Sequence, residues 1–433
     1  MPERADITYF GAGPALLPTS VLETASQALV NYNNTGLGLA EHSHRSEISA
    51  RILNEAKADL ATFLDIPDDY EVLFMQGGGS GEFSATVYNL VGVWIERRKQ
   101  KILKELDIKE GQELPEDVIV KEMEKAVQEH LKIDYIVTGS WSLKASQEAA
   151  RLVGAEYVNV AADARNFNDG KFGKIPEESS WKISKSPAMV YYCDNETVDG
   201  VEFPGFPEIL KPSADGEGPI VVADMSSNIL SRRIPVKNFS VIFFGAQKNL
   251  GSTGITVVII RKSLLPPAVA TPPPALLRKL GLPIGPVVLS YETVAKNNSL
   301  YNTLSIFDVF IASQVIKKSL ANFPNKIDDQ EKIANEKAHR IYEALEKYPD
   351  SYKIVPDRTV RSRMNICFRV THLRSGMDDS ERSFLKGAGD LGLTGLKGHR
   401  SVGGIRASNY NSISMEGAKK LARYIESFAQ GSR

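Results

Sequence analysis

Through the first three hundred positions, short apolar runs rich in β-branched and aromatic residues alternate with stretches whose apolar residues recur at helical spacing. The runs Glu71–Met75, Tyr135–Thr138, Tyr157–Val160, Met189–Cys193, Ile220–Ala223, Val241–Phe244 and Gly254–Arg261 are nearly continuous in apolar side chains. Most give way at once to glycine or polar residues. A strand with one wet face alternates apolar and polar positions, whereas a strand covered on both faces does not. The runs therefore predict an α/β fold with a mainly parallel, mixed sheet covered by helices. Residues just beyond such strands are where open α/β sheets place ligands. Later the pattern changes: Asp328–Tyr348 reads as a long amphipathic helix, then strands Tyr352–Val355 and Asn365–Val370 alternate with helices Asp379–Leu385 and Ser414–Gln430. We expect a large domain over residues 18–320 and a smaller α+β domain made of 1–17 and 321–433.

Two stretches interrupt this order. Between Glu96 and Asp134, 20 of 39 residues are charged, and their mixed signs predict two solvated helices joined near Gly111-Gln112. Leu265–Pro286 carries seven prolines and predicts an extended ordered loop rather than helix or sheet. Over 433 residues, 52 basic and 53 acidic side chains leave a net charge of −1. That balance offers no broad attraction to phosphate backbones or anionic lipid, which argues against nucleic-acid and membrane partners. Cys193 and Cys367 are too few for a disulfide framework or a cysteine zinc site, and His42 and His44 lack further ligands at metal spacing. With no apolar leader in MPERADITYF and no spanning apolar run, the expectation is a cytoplasmic enzyme.

The candidate chemistry sits after the strands. Gln76-Gly77-Gly78-Gly79-Ser80-Gly81-Glu82 joins a strand to a helix, the arrangement that lets backbone N–H groups and a helix dipole hold an anion; a tight turn without ligand is the alternative. It lacks the Lys of a Walker loop and the third glycine of a dinucleotide fingerprint. A literal G-x-G-x-x-G at Gly387–Gly392 follows a helical stretch and is a chance match. In VIFFGAQKNLGSTG a buried strand runs into Gln247 and Lys248, where desolvation would free the lysine for Schiff-base chemistry. Asp224, ending the preceding strand, supplies the carboxylate that such chemistry needs opposite a pyridine nitrogen, so the pair suits pyridoxal 5'-phosphate. Trp141 could stack on the ring and Thr197 bond its hydroxyl. His44-Arg45 and His399-Arg400 lie among small residues where they could meet a phosphate, and Arg406 suits a carboxylate.

Nine blocks in order, FGAGPALLP, EHSHRSE, QGGGSGEFSA, TGSWSLKASQEA, YYCDNETVDGVEFP, VVADMSSNILSRRI, GAQKNLGSTG, NSLYNT and LKGHRSVGGIRASNYN, resemble the phosphoserine aminotransferases, class V members of the fold-type I pyridoxal-phosphate enzymes. The resemblance spans nearly the whole chain apart from the charged segment. It implies a homodimer with shared active sites, Lys248 as the lysine that holds the cofactor aldehyde, and Asp224 as the partner of its ring nitrogen. It implies Trp141 and Thr197 around the ring, and Gly79, Ser80 and Gln247 at the cofactor phosphate, with Asn302 and Thr303 reaching it from the neighbouring subunit. His44, Arg45, His399 and Arg400 correspond to the substrate-phosphate cluster and Arg406 to the α-carboxylate clamp. The implied reaction, a step of serine biosynthesis, exchanges an amino group between glutamate and 3-phosphohydroxypyruvate, giving O-phosphoserine and 2-oxoglutarate. Ser80 departs from the arginine of bacterial members, and Leu304-Ser305 from a common Pro-Pro. Other readings are an alanine–glyoxylate type aminotransferase, a cysteine desulfurase, for which neither cysteine is well placed, and a non-catalytic ligand-binding relative.

Overall fold

The computed structural model describes residues 2–106, 115–213, 218–371 and 376–431. Its centre is a seven-stranded sheet built from β1 (Tyr70–Met75), β2 (Ile133–Val137), β3 (Val158–Asp163), β4 (Val190–Cys193), β5 (Val221–Asp224), β6 (Val241–Gly245) and β7 (Thr256–Arg261). The spatial order is β1-β7-β6-β5-β4-β2-β3. Only β7 runs antiparallel to its neighbours, so the other six strands present their carboxyl ends at one edge.

Successive residues of each strand face opposite sides, which is why the apolar runs are continuous. Ile242 and Phe244 pack with α1 (Glu47–Leu64), through Ile52 and Phe63, in one core. Val241 and Phe243 belong to the other, with Leu90 of α2 (Gly78–Glu105), Met123 of α3 (Glu116–His130) and Ala145 of α4 (Ser140–Val153). The first face is completed by α5 (Ile306–Asn322), whose Val309 and Ile316 join the same core. Burying a Val, Leu, Ile or Phe side chain stabilises by about 1.5–3 kcal/mol, so a polar residue at Phe243 would be severely destabilising.

A third core is assembled from later sequence. Strands β8 (Tyr352–Ile354), β9 (Asn365–Val370) and β10 (Ile405–Ser408) form an antiparallel sheet in that order. Its Ile366 and Phe368 pack with Ile341 of α6 (Ile327–Glu346), Phe384 of α7 (Met377–Asp390) and Leu421 of α8 (Met415–Gly431). Phe10 enters the same core, and Thr8–Tyr9 pairs with Leu393–Thr394.

Two expectations change, and the chance reading of Gly387–Gly392 stands. Glu96 does not open a new helix: it lies within α2, 7% exposed, and Ile102, Met123, Ala126 and Val127 are buried, so α2 and α3 are solvated on one face only. Gly111-Gln112 lies outside the described residues. The proline-rich stretch contains a helix at Pro274–Lys279; proline at the first helical position needs no N–H and presets φ, so it starts a helix there rather than breaking one. Gly387 and Gly389 sit inside α7, with no strand-to-helix turn around them.

Candidate active site

Five strand ends converge on a cavity of about 410 Å³, lined by residues at or beyond the ends of β1, β2, β4, β5 and β6 and closed on one side by His399 and Arg406. At β1 the chain turns directly into α2. Gly77 and Gly78 have φ of +119° and +65°, a left-handed backbone that a side chain disfavours, and the turn brings Gly79 and Ser80 into the cavity wall. The Gly78 N–H is taken by Thr256 Oγ1 at 2.9 Å, leaving the first turn of α2 as the place where an anion gains most from the helix dipole.

Asp224 closes β5 and is 5% exposed. Its Oδ1 accepts the Ser226 N–H at 2.8 Å, while Oδ2 faces Gly79. Burial raises its pKa, opposed by Ser226 and by the Lys248 charge. Lys248 follows β6 after Gly245, and its Nζ donates to Thr197 Oγ1 at 2.7 Å. Burial pushes its ammonium below the ordinary value, against the pull of Asp224. A lysine whose basicity burial lowers, beside a buried carboxylate, is suited to bond formation with a carbonyl and to moving protons.

Trp141, in the first turn of α4, lines the cavity; its buried Nε1 has no hydrogen-bond partner among the described residues. Lys144 Nζ lies 4.3 Å from the centre of its ring. Arg406 stands on β10, opposite Cys367 of β9, and its Nη1 donates to Thr197 O at 3.3 Å. His399 accepts or donates to Ser401 Oγ at 2.7 Å; burial, then Arg406, Lys144 and Arg400, lowers its pKa.

The cavity therefore gathers Gly79, Ser80, Trp141, Thr197, Asp224, Gln247, Lys248, His399 and Arg406. Four other candidates stand apart within one chain, and Arg400 is exposed beside His399 without lining the wall. His44 and Arg45 lie on the segment tied to the start of α1, where Ser49 Oγ donates to Ser43 O at 2.7 Å; Arg45 is exposed. Asn302 and Thr303 are exposed, and Asn302 Nδ2 donates to Gln76 Oε1 at 2.6 Å on the wall of an adjoining cavity of about 300 Å³.

The Aminotransferase class-V family model matches residues 7–110 and 116–421. The chain belongs to the class-V aminotransferases. It is 42% identical to the phosphoserine aminotransferase of Saccharomyces cerevisiae over 432 residues, covering 99% of this chain and 98% of that one. It is 38% identical to the Drosophila melanogaster phosphoserine aminotransferase over 427 residues, 99% of this chain and all of the other. Among solved structures, the phosphoserine aminotransferase of Bacillus circulans subsp. alkalophilus superposes with a TM-score of 0.78 at 33% identity, covering 98% of each chain. The PLP-bound enzyme from Trichomonas vaginalis gives 0.77 at 31% identity over 97% of this chain and 99% of that one. An alanine–glyoxylate aminotransferase from Nostoc, 13% identical with a TM-score of 0.64, shares the fold alone.

Several buried or cavity-adjacent charged residues escape a reading of the sequence. Glu196 and Asp199, in the polar segment CDNETVDG, are 0% and 5% exposed. Glu82, just beyond the first turn of α2, is also 0% exposed; Tyr291 Oη donates to it at 2.9 Å, and burial pushes its carboxyl up to about 8. Lys144 carries a signal in retrospect, since a residue three positions after Trp141 shares its helix face.

Proposed function

We propose that this class-V aminotransferase uses pyridoxal 5'-phosphate to pass an amino group between glutamate and 3-phosphohydroxypyruvate, giving O-phosphoserine and 2-oxoglutarate. The observation that carries the reading is the single cavity in which Lys248 and Asp224 stand between the glycine turn of α2 and Arg406. The residues fit the cofactor: the α2 turn with Gln247 for its phosphate, Trp141 and its unpartnered Nε1 beside the ring, Asp224 for the ring nitrogen and Lys248 for the aldehyde. When bound, the cofactor supplies the electron sink for the pair of electrons left when the substrate Cα loses its proton. Lys248 Nζ takes and returns that proton, and burial, which lowers its basicity, favours the neutral amine that can accept it. Asp224 holds positive charge at the far end of the sink. Arg406 grips the α-carboxylate with paired N–H donors, and Thr197, bonded to both Lys248 and Arg406, sets their spacing.

Both substrates have a second anion, a γ-carboxylate or a phosphate, for the cationic side formed by His399, Lys144 and Arg400. We further propose that the chain works as a homodimer in which His44, Arg45, Asn302 and Thr303 complete the cavity of the second copy, since in one chain they stand apart from it. Exposed Leu37, Val287, Val288 and Tyr301 supply apolar surface for that contact. No helix among the described residues is long and apolar enough to cross a membrane, and we propose a cytoplasmic location.

The test is product formation: purified protein with glutamate and 3-phosphohydroxypyruvate should yield O-phosphoserine in many turnovers. Equal or faster turnover of alanine with glyoxylate would overturn the substrate assignment. Sedimentation of a monomer at micromolar concentration would overturn the dimer.

A further inference from the structure

Two helices begin at the cavity, and their first turns are treated differently. In the turn that opens α4, every backbone N–H from Thr138 to Ser142 is taken by a side chain. Ser142 Oγ accepts from Thr138 N at 3.0 Å and Gly139 N at 3.2 Å. Asp199 Oδ2 accepts from Ser140 N at 2.7 Å, and Glu196 accepts from Trp141 N at 2.8 Å and Ser142 N at 2.9 Å. Ser142 Oγ also contacts Glu196 Oε1 at 2.5 Å. Two buried acids thus cap one helix start, reaching it from a segment more than fifty residues later. Burial and the neighbouring Asp199 push the Glu196 carboxyl up to about 8, so the pair resists carrying two charges, and the N–H groups are what make its burial tolerable.

The same short segment carries the active-site contacts. Thr197 lies between the two acids; its hydroxyl takes the Lys248 Nζ hydrogen bond and its carbonyl the Arg406 Nη1 hydrogen bond. Trp141, whose ring lines the cavity, has its backbone held by Glu196. We propose that Glu196 and Asp199 are positioning residues which lock the Trp141 turn to the Thr197 segment, so that the ring-stacking face, the reactive lysine and the carboxylate-gripping arginine keep one relative geometry. Gly139 fits the same device: a Cβ there would run into the Glu196 side chain. Its φ of −169° is ordinary extended backbone, so alanine would be excluded by that contact and by nothing else.

This inference rests on the proposed cofactor chemistry, and the test separates the two. Glu196→Gln places an NH2 against one of two N–H donors, Asp199→Asn removes the charge while its amide oxygen still accepts from Ser140 N and so serves as the mild control, and Gly139→Ala displaces Glu196 without changing its chemistry. The readouts are the dissociation constant for pyridoxal 5'-phosphate, the visible circular dichroism of the bound cofactor, Trp141 fluorescence in the cofactor-free protein, and the split between KM and kcat. Glu196→Gln and Gly139→Ala should each weaken cofactor binding at least tenfold, reduce the visible circular dichroism and alter Trp141 emission. Saturating cofactor should leave kcat lowered more than KM is raised. Wild-type protein without a visible cofactor signal would overturn the functional reading. A normal wild-type signal, with variants that match it and lose only thermal stability, would overturn the positioning role. Should Glu196→Gln fail to fold, Ser142→Ala, which removes the hydroxyl's contacts with Thr138 N, Gly139 N and Glu196 Oε1 and leaves the carboxylate in place, decides by the same readouts.

Discussion

Removing one carboxylate from the seam between the central sheet and the third core should destabilise the protein by an amount that the geometry sets. Glu202 is 4% exposed, and its Oε1 accepts from Arg363 Nη2 at 2.7 Å and Asn228 Nδ2 at 3.1 Å. Oε2 accepts from the Arg363 backbone N–H at 2.9 Å and its Nε at 3.2 Å. Burial alone would raise the carboxyl, but Arg363 and Arg232 bring it down to about 2 from 4.5. At ~1.4 kcal/mol per pH unit, that depression stabilises the fold by about 3 kcal/mol at neutral pH. Asp194, with Arg232 as its one guanidinium at 2.7 Å, is instead pushed up by burial. Because the folded pKa of Glu202 lies below the unfolded one, its contribution is full above pH ~4.5, shrinks on acidification and vanishes below ~2. Glu202→Gln should lower the apparent unfolding free energy in urea by about 3 kcal/mol at pH 7, in line with the ~3–5 kcal/mol cost of breaking a buried pair. The gap to wild type should narrow as pH falls from about 4.5 towards 2. Arg363 precedes β9, which carries β10 and Arg406, so KM for both amino donors should rise as well. A loss below about 1 kcal/mol, or a gap that widens on acidification, would refute the reasoning.

Lys248→Ala should abolish borohydride-dependent labelling by the cofactor and multiple turnover; a variant that still turns over removes the lysine from its role. Asp224→Asn should slow exchange of the glutamate α-proton by roughly 10²-fold or more, measured with deuterated glutamate, and a near-normal rate would contradict the charge-holding role. Arg406→Met should weaken glutamate binding by about 1.5–3 kcal/mol, read as KM and as inhibition by dicarboxylates. Lys337 is 0% exposed and donates to the carbonyls of Tyr410 and Ile413 at 2.8 Å each, and burial lowers its pKa to about 7. The unfolded chain keeps that proton to about pH 10.5, so between pH 7 and 9 folding stability should gain about 2 kcal/mol with rising pH. Lys337→Met should lack that slope in urea titrations, and an identical slope would count against it.

What could be read from the sequence had a local cause. Continuous apolar runs arise wherever a strand is covered on both faces, so Val241–Phe244 announces β6, and Lys248 lies a few residues past its end. What escaped was caused at a distance. Glu196 and Asp199 look like surface acids because nothing nearby explains their burial; the N–H groups that hold them belong to a turn that precedes them by more than fifty residues. The charged stretch misled because counting charges hides the face on which Met123, Ala126 and Val127 pack. Prolines misled for another reason, since their effect on a helix depends on position: Pro274 begins one.

The two helix starts also bear on how the site sorts anions. An open N-terminal turn attracts phosphate or carboxylate with the equivalent of about half a charge. Were the α4 turn open, a ligand with two anionic ends could settle across both helices, away from Lys248. Glu196, Asp199 and Ser142 consume every N–H from Thr138 to Ser142, so that attraction is cancelled from within. On the proposed function, one helix start is then left for a cofactor phosphate, at Gly79 and Ser80, and the substrate's anions would turn to Arg406 and the side lined by His399. A chain with a net charge of −1 would thereby keep two separate anion positions in one cavity, at the α2 turn and at Arg406. If so, opening the α4 turn with Glu196→Ala should create a competing site. Inorganic phosphate should then inhibit cofactor binding more strongly than in wild type, and unchanged inhibition would show that the acids cap the helix without sorting ligands.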